Sequence, residues 1–225
     1  MDDQVLLGSG RDADVFALDE GRVLRRYRAG GDVAAEAAIM AYVGSLGYPV
    51  PRVDRAEGPD LVMERIDGPT MLRAMVEGEL AITDGAEILA DLHRRLHELP
   101  PRPNSAPGTR VLHLDLHPDN VLLGPRGPVV IDWLNGTDGE PELDLALSAL
   151  IAAEVAVNDM FGSGALAESF LRVFLGAVSG DPLRLLDSAV ARRRGNPTLS
   201  AEEVSRLDSA ATLVRALSTD VRQAG

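Results

Sequence analysis

The segment HLDLHPDNVLL (residues 113–123), followed by VVIDW (residues 129–133), carries more information about this chain than any other stretch. Asp115 and Asn120 stand five positions apart in a loop after an apolar strand end, and Asp132 follows a run of valine and isoleucine, seventeen residues after Asp115. An ionised carboxylate at the end of a buried strand is costly unless it meets a cation. Oxygen ligands favour magnesium over zinc. The pattern therefore predicts a divalent metal held by Asn120 and Asp132, with Asp115 left to accept a proton.

The composition of the whole chain excludes several classes of enzyme. The 225 residues include 22 basic and 35 acidic side chains, for a formal net charge of −13, and all of the basic residues are arginine. Without cysteine there is no disulfide framework, thiolate nucleophile or cysteine-ligated metal cluster. Without lysine there is no Walker P-loop and no Schiff-base enzyme, because both need a lysine amine. The 45% hydrophobic and 25% charged content is that of an ordinary globular protein.

The sequence also limits location and partners. Residues 1–10 lack the basic and apolar regions of a signal peptide, and the most apolar long stretch, residues 143–157, is interrupted by polar residues and too short to cross a bilayer. We therefore expect a cytoplasmic protein. The acidic charge is spread evenly along the chain, which argues against nucleic-acid or membrane partners and weakly favours a cationic substrate.

The first 66 residues are predicted to form a small β-rich lobe with one helix. Strands are expected at residues 5–7, 15–18, 22–27, 53–56 and 61–64, and a helix at residues 33–46 with Asp32 as its N-cap. The sequence Ile66-Asp67-Gly68-Pro69 is typical of a connector.

Residues 67–225 are predicted to form a larger, mostly helical lobe. Thr83 or Asp84 is the expected N-cap of a helix that ends at Pro100, and two short strands are expected at residues 121–123 and 129–131. Everything after Pro141 has a helical pattern, and Ser200 with Glu203 forms a capping box. The predicted fold class is thus α+β, with lobes of residues 1–66 and 67–225.

In its catalytic motif the sequence resembles the aminoglycoside phosphotransferase family of the protein-kinase-like superfamily, over almost the whole chain. The family's His-x-Asp-x-x-x-x-Asn loop is matched by His113, Asp115 and Asn120, and its metal-binding aspartate by Asp132. The resemblance implies that Asp115 orients or deprotonates an acceptor hydroxyl, while Asn120 and Asp132 hold magnesium at the phosphates. His117 stands where protein kinases place a lysine that contacts the transferred phosphate, and His113 would support the loop.

The same resemblance assigns nucleotide-binding residues upstream. Gly8-Ser9-Gly10 would be the glycine-rich loop over the phosphates, and Val15 would cover the adenine.

Further along the chain, Arg25 occupies the position of the phosphate-binding lysine, and Glu36 would be its helix partner. Residues Glu64 to Ile66 would form the hinge that binds adenine through backbone groups. Asp144 matches an aspartate that supports the catalytic loop.

Together these positions predict an ATP- or GTP-dependent, magnesium-dependent phosphotransferase that acts on a hydroxyl group of a small molecule. About nine residues separate Asp132 from the next helix, too few for the activation segment of a regulated protein kinase.

Arginine in the lysine position leaves an alternative open, because a guanidinium is bulkier than an ammonium group and binds in a forked geometry. A catalytically silent nucleotide-binding pseudokinase of the same fold is one alternative. If the strand register were shifted by one residue, Arg26 would take the place of Arg25.

A remote alternative is a metal hydrolase that uses Asp115 with His113 and His117. The other two histidines, His93 and His97, are also four apart, a spacing that puts both rings on one face of a helix. The glutamate of the zincin pattern is missing between them, so a packing or surface role is favoured over metal binding.

Overall fold

A computed structural model describes residues 5–158 and 164–224 of the chain. By internal packing the chain forms two compact units. The first comprises the residues up to Pro69 together with Val121–Gly136, and the second comprises Thr70–Asn120 together with the residues from Thr137 onward. The predicted lobes of residues 1–66 and 67–225 stay a prediction, to which the packing adds that the segment 121–136 belongs with the N-terminal residues.

The described residues contain nine strands and seven α-helices. The strands are β1 (Leu6–Ser9), β2 (Ala13–Ala17), β3 (Arg22–Tyr27), β4 (Val53–Glu57), β5 (Asp60–Glu64), β6 (Arg110–Leu112), β7 (Val121–Gly124), β8 (Gly127–Val130) and β9 (Thr137–Gly139). The helices are α1 (Ala34–Ser45), α2 (Met71–Val76), α3 (Ile82–Glu98), α4 (Pro141–Asn158), α5 (Gly164–Ala177), α6 (Leu186–Arg194) and α7 (Ala201–Ala224). An antiparallel sheet in the N-terminal region and a helical C-terminal part confirm the predicted α+β class.

The first unit is organised around β3. The antiparallel sheet has the order β1-β2-β3-β5-β4, so β3 is the central strand and has a partner on each side. Its residues Val23, Leu24, Arg25 and Tyr27 are buried, whereas Arg26 is exposed and pairs with Asp60. This register puts Arg25, rather than Arg26, on the inside.

Helix α1 begins close to its predicted position, although Asp32 is not its N-cap. The N-cap is Val33, whose side chain makes no capping hydrogen bond. Asp32 acts one residue earlier, because its Oδ1 accepts the Ala34 N–H at 2.9 Å. The carboxylate therefore satisfies one of the unpaired N–H groups of the first turn from outside the helix.

The hairpin of β7 and β8 is joined to the rest of the first unit by backbone hydrogen bonds. Leu123 N–H donates to Pro69 O and Val130 N–H donates to Pro49 O, each at 2.9 Å. The connector passes so close to β7 that an added Cβ on Gly68 would lie 2.1 Å from Leu123 O. Gly68 also has φ +152, which favours glycine.

The second unit contains the helices α2 to α7 and the two-stranded pair of β6 and β9. Helix α3 begins earlier than predicted, since its N-cap is Ala81 rather than Thr83 or Asp84. Asp84 lies in the first turn, where its negative charge favours the positive end of the helix dipole. Ser200 and Glu203 form the predicted capping box, with Glu203 N–H donating to Ser200 Oγ and Ser200 N–H to Glu203 Oε2.

In residues 5–158 and 164–224, none of the helices is both long enough and apolar enough to cross a membrane.

The contact at Gly68 can be tested by substitution. We expect Gly68→Ala to lower the free energy of unfolding by about 3 kcal/mol, because the new methyl group collides with a backbone oxygen that cannot move aside. Gly58→Ala is the matched control in the same unit: Gly58 also has a positive φ, +52, but its Cβ would meet nothing within 4 Å. Its expected cost is about 1 kcal/mol. Equal losses for the two variants in urea unfolding would contradict the close approach.

Candidate active site

Arg25 forms the centre of a buried charge cluster in the first unit. Its Nη2 lies 2.6 Å from Asp132 Oδ1 and its Nη1 lies 3.4 Å from Glu36 Oε1. Burial alone would lower the pKa of Arg25, but the charge of Asp132 and, to a lesser degree, that of Glu36 outweigh it, so that the pKa is raised. The structure thus brings together three residues that the sequence assigned separately to phosphate and metal binding.

Tyr27 completes this cluster and was missed from the sequence. Its Oη donates to Glu36 Oε2 at 2.7 Å, and the Arg25 guanidinium carbon lies 4.9 Å from the centre of the Tyr27 ring. Burial and the nearby Glu36 raise the pKa of Tyr27, which keeps the phenol protonated as a donor. Side chains alternate between the two faces of a strand, so Arg25 and Tyr27 lie on the same face of β3. This spacing is the sequence pattern from which Tyr27 could have been predicted.

Burial also raises the pKa of Glu36, and the Arg25 charge and the Tyr27 hydrogen bond offset this only in part. The backbone N–H of Trp133 is a further donor to the Glu36 carboxylate. Glu36 therefore joins helix α1, strand β3 and the segment after β8. Trp133 itself is fully buried and donates from Nε1 to Val130 O at 3.1 Å.

The Gly8-Ser9-Gly10 segment lies at the tip of the β1–β2 hairpin. Gly10 N–H donates to Ala13 O at 2.9 Å, and an added Cβ on Gly8 would meet nothing within 4 Å. Arg28, a residue that the sequence analysis missed, fixes this tip because its Nη2 donates to Gly10 O at 2.6 Å and its Nη1 to Asp14 Oδ1 at 2.6 Å. The tip is thus held by an exposed guanidinium.

Two other predicted nucleotide-binding positions lie on the same sheet. Val15, on β2, pairs directly with Arg25 of β3. Glu64 ends β5, where its N–H donates to Arg52 O at 2.8 Å and its Oε1 accepts from Arg126 at 2.5 Å. Ile66 follows and packs close to Gly124, whose ideal Cβ would lie 2.9 Å from Ile66 Cγ2.

The predicted catalytic loop lies in the second unit, and the Asn120 side chain connects its residues. The Asn120 amide nitrogen donates to Asp115 O at 2.9 Å and lies 3.2 Å from His117 Nε2. His113 is fully buried, and its Nδ1 accepts the Asp115 N–H at 3.3 Å. Asp115 and His117 keep side-chain exposures of 30% and 24%, so both reach solvent from a fixed loop.

Asp144, at the start of α4, anchors this loop. The carboxylate is fully buried and accepts from Leu114 N–H at 2.7 Å, from His113 N–H at 3.0 Å and from His97 Nε2 at 3.0 Å. Burial alone would raise the pKa of Asp144, but these donors and the neighbouring imidazoles hold it well below its usual value. The sequence identified Asp144 and missed His97 as its partner.

Two residues beside the predicted reactive groups have strained backbones. Leu114, immediately before Asp115, has φ +63, and Asp132 has φ +66. Residues other than glycine rarely adopt a positive φ, because this backbone conformation costs about 1–3 kcal/mol of conformational free energy at each residue. Because Asp144 Oδ1 accepts the Leu114 N–H, the anchor also stabilises the strained conformation.

The donor atoms of the predicted metal ligands fit an oxygen-preferring cation. The Asn120 amide nitrogen is committed to Asp115 O, which leaves Oδ1 as the atom that can ligate a metal. Asp132 gives Oδ1 to Arg25 and keeps a second carboxylate oxygen, Oδ2. An amide oxygen and a carboxylate oxygen are suitable ligands for magnesium.

Asp115, His113 and His117, the residues of the metal-hydrolase alternative, do not form a close group of three ligand atoms. Among the described residues, the only group of three histidine or carboxylate ligand atoms within 4.8 Å of one another comes from His93, His97 and Asp144. His93 is fully buried, and burial lowers its pKa to about 3.

An N-terminal antiparallel sheet with a buried cation on its central strand, and a helical unit that carries a fixed Asp–Asn loop, define the class as a kinase-like phosphotransferase. The sequence profile of the phosphotransferase enzyme family (APH) matches residues 3–111 and 101–178, which is more than half of the chain. The chain belongs to this family. No curated protein matches its sequence significantly.

Solved structures of this class share the fold at low sequence identity. The amicoumacin kinase hAmiN, in complex with AMP-PNP, Ca2+ and Ami, aligns with a TM-score of 0.60 and 14% identity over 96% of this chain and 89% of that chain. The gentamicin complex of APH(2'')-IIa aligns with a TM-score of 0.60 and 14% identity, over 94% of this chain and 91% of that chain. APH(3'')-Id from Streptomyces rimosus, in complex with ADP and streptomycin, aligns with a TM-score of 0.51 and 19% identity, over 91% of this chain and 90% of that chain.

We expect Arg25→Lys to lower the free energy of unfolding by about 1–2 kcal/mol. An ammonium group cannot bridge Glu36 and Asp132 in the same forked geometry, and it loses the stacking on Tyr27. Arg26 is exposed and lies one residue along the same strand. The variant Arg26→Lys should therefore change the free energy of unfolding by less than about 0.5 kcal/mol. A variant Arg25→Lys as stable as the wild type in thermal and urea unfolding would show that the cluster does not depend on the guanidinium.

The buried neutral His93 predicts a pH dependence of stability. In the unfolded chain His93 binds a proton below pH about 6.5, whereas the folded protein does not until far lower pH, so stability falls as pH falls. Between pH 7 and pH 5, with a chelator present, we expect a loss of roughly 2 kcal/mol from this residue.

The variant His93→Gln provides the comparison, because it removes the titrating ring and keeps a polar group near Ser148. Its free energy of unfolding should depend less on pH over the same interval. Parallel pH profiles for the wild type and His93→Gln would rule out this assignment.

Proposed function

We propose that this protein transfers the γ-phosphoryl group of ATP or GTP to a hydroxyl group of a small molecule, in a magnesium-dependent reaction. The observation that carries the proposal is the fixed catalytic loop. Asp144 holds the backbone just before Asp115, and Asn120 holds the carbonyl of Asp115, while the Asp115 carboxylate reaches solvent. Such positioning is the main contribution of the protein in phosphoryl transfer.

In this proposal the first unit binds the nucleotide. Arg25, held in place by Glu36 and Asp132, supplies the positive charge for the phosphates. The hairpin tip Gly8-Ser9-Gly10 lies over the phosphates.

On the same sheet, Val15 covers the adenine, and backbone groups at Glu64 and Ile66 bind its edge. These roles follow the family motif, and the placement of Val15 opposite Arg25 in the sheet supports them.

Asn120 and Asp132 are the proposed magnesium ligands. The bound ion supplies charge neutralisation at the β- and γ-phosphates. Arg25 has a second role here, because its contact with Asp132 Oδ1 at 2.6 Å orients that carboxylate and reduces its negative charge.

Asp115 accepts the proton of the acceptor hydroxyl as the oxygen bonds to the γ-phosphorus and the bond to the β-phosphate oxygen breaks. The nucleoside diphosphate leaves with that oxygen, and the proton stays on Asp115 until it passes to solvent. His117, held by Asn120 on the same loop, is proposed to donate a hydrogen bond to the transferred phosphoryl group.

Several observations support a small molecule as the acceptor. Helix α4 begins at Pro141, nine residues after Asp132, which leaves no room for a regulated activation segment. Among the neighbouring structures, APH(2'')-IIa forms complexes with gentamicin and with streptomycin, and the amicoumacin kinase hAmiN forms one with Ami. The net charge of −13 favours a cationic acceptor over an anionic one.

The test combines nucleotide binding with a screen of acceptor alcohols using labelled ATP and GTP. We expect magnesium-dependent thermal stabilisation by one of the two nucleotides and transfer to at least one acceptor. Asp115→Asn should lower the rate of transfer by about 100-fold or more, with nucleotide affinity changed by less than about threefold.

Asp119→Asn is the matched control, since Asp119 is exposed on the same loop. It should keep the rate within about twofold of the wild type. Failure to bind either nucleotide with millimolar magnesium would overturn the proposal. If the protein binds nucleotide but shows neither phosphoryl transfer nor slow nucleotide hydrolysis with any member of the panel, the silent pseudokinase is favoured.

A further inference from the structure

A second group of ligand atoms lies behind the catalytic loop in the second unit, and it shares no ligand with the proposed magnesium site. His93 and His97 project from one face of α3, and Asp144 projects from α4. Asp144 Oδ2 lies 3.0 Å from His97 Nε2 and 3.7 Å from His93 Nδ1, and all three ligand atoms are within 4.8 Å of one another. Ligand atoms of a tetrahedral zinc site are separated by about 3.3 Å.

The hydrogen bonds of His93 fix which of its ring nitrogens carries hydrogen. Ser148 Oγ donates its single hydrogen to Leu116 O at 2.6 Å. It therefore accepts from His93 Nε2, which lies 2.9 Å away. In the neutral ring this places the hydrogen on Nε2 and leaves a bare lone pair on Nδ1.

That lone pair has no hydrogen-bond partner among the described residues, although His93 is completely buried. It faces the Asp144 carboxylate, so two electron-rich atoms are buried side by side. Buried polar atoms in native proteins are nearly always satisfied. A cation between them would satisfy both atoms, and the Nε2–H bond to Ser148 is the outer contact that metal-binding histidines usually make.

We propose that His93 Nδ1, His97 Nε2 and Asp144 Oδ2 bind a divalent metal ion of the zinc class. Two imidazole nitrogens and one carboxylate oxygen are ligands that favour zinc, cobalt or nickel over magnesium. When the metal binds, the hydrogen on His97 Nε2 moves to Nδ1, and the metal replaces the hydrogen bond to Asp144.

The site has an entry path. His97 lines a surface cavity of about 360 Å³, together with Glu98, Glu142, Arg94 and Arg110. The charges of Arg94 and Glu98 are paired with each other, and Glu142 is paired with Arg184. An open cavity next to His97 leaves room for water as the fourth ligand.

Metal binding here would act directly on the anchor of the catalytic loop. The Asp144 carboxylate that binds the metal also accepts the backbone N–H groups of His113 and Leu114. We therefore assign the site a structural role, in which the metal fixes the Asp144 carboxylate and stabilises the loop.

The first experiment uses the wild type after removal of metals, with millimolar magnesium present to occupy sites made of oxygen ligands alone. Nitrogen-15 NMR of the four histidine rings should show His93 with hydrogen on Nε2 and none on Nδ1. Addition of zinc should shift His93 Nδ1 and His97 Nε2 and saturate at one ion per chain. A protonated His93 Nδ1, or zinc shifts confined to His117, would overturn the proposal.

The second experiment measures cobalt binding from its visible absorption and zinc binding by competition. His97→Gln keeps a donor for Asp144 and removes a ligand, so affinity should fall about 100-fold or more. His117→Gln is the control, since it removes a partly exposed histidine of the loop, and its affinity should stay within about twofold. Circular dichroism checks that both variants fold. Unchanged affinity in His97→Gln would refute the site, and neither readout depends on phosphotransferase activity.

Discussion

The carboxylate of Asp144 is the group on which the functional part of the second unit depends. A fully buried anion is tolerated only if donors surround it, and here two consecutive backbone N–H groups and an imidazole provide them. Because the two backbone donors belong to residues 113 and 114, the same bonds that satisfy the charge also fix the loop that carries Asp115. Leu114 has φ +63, and the hydrogen bond from its N–H to Asp144 stabilises this strained conformation.

The first unit contains a buried charge of the opposite sign, which also needs partners that compensate for its loss of water. A buried arginine on the central strand is stabilised by two carboxylates from different parts of the chain, Glu36 on α1 and Asp132 after β8, and by the ring of Tyr27. In this chain, which has no lysine, arginine occupies this position, and the surrounding side chains fit the planar, forked guanidinium. The arginine therefore has a local environment that suits its geometry.

The sequence predicted regular elements well where their patterns were long or had clear ends. The strands of the first sheet, the helix at residues 34–45 and the capping box at Ser200 follow from alternation, periodicity and local hydrogen bonding. It missed α2 and β9 and gave no bounds for β6; these elements have six, three and three residues, too few to show a period. It also misplaced the N-caps of α1 and α3, because tertiary packing decides among several polar residues near a helix start.

By itself, the sequence determined the family, the α+β class and the motif positions, because the spacing of His113, Asp115, Asn120 and Asp132 is local information. Only the tertiary structure decided which side chains surround these positions. The hydrogen bonds between these side chains and their partners join residues far apart in the sequence. Tyr27 and Glu36 are 9 positions apart, and His97 and Asp144 are 47 apart. Ser148 is 55 positions from His93 and 32 from Leu116. Such contacts depend on how helices and strands pack, and no local pattern records that packing.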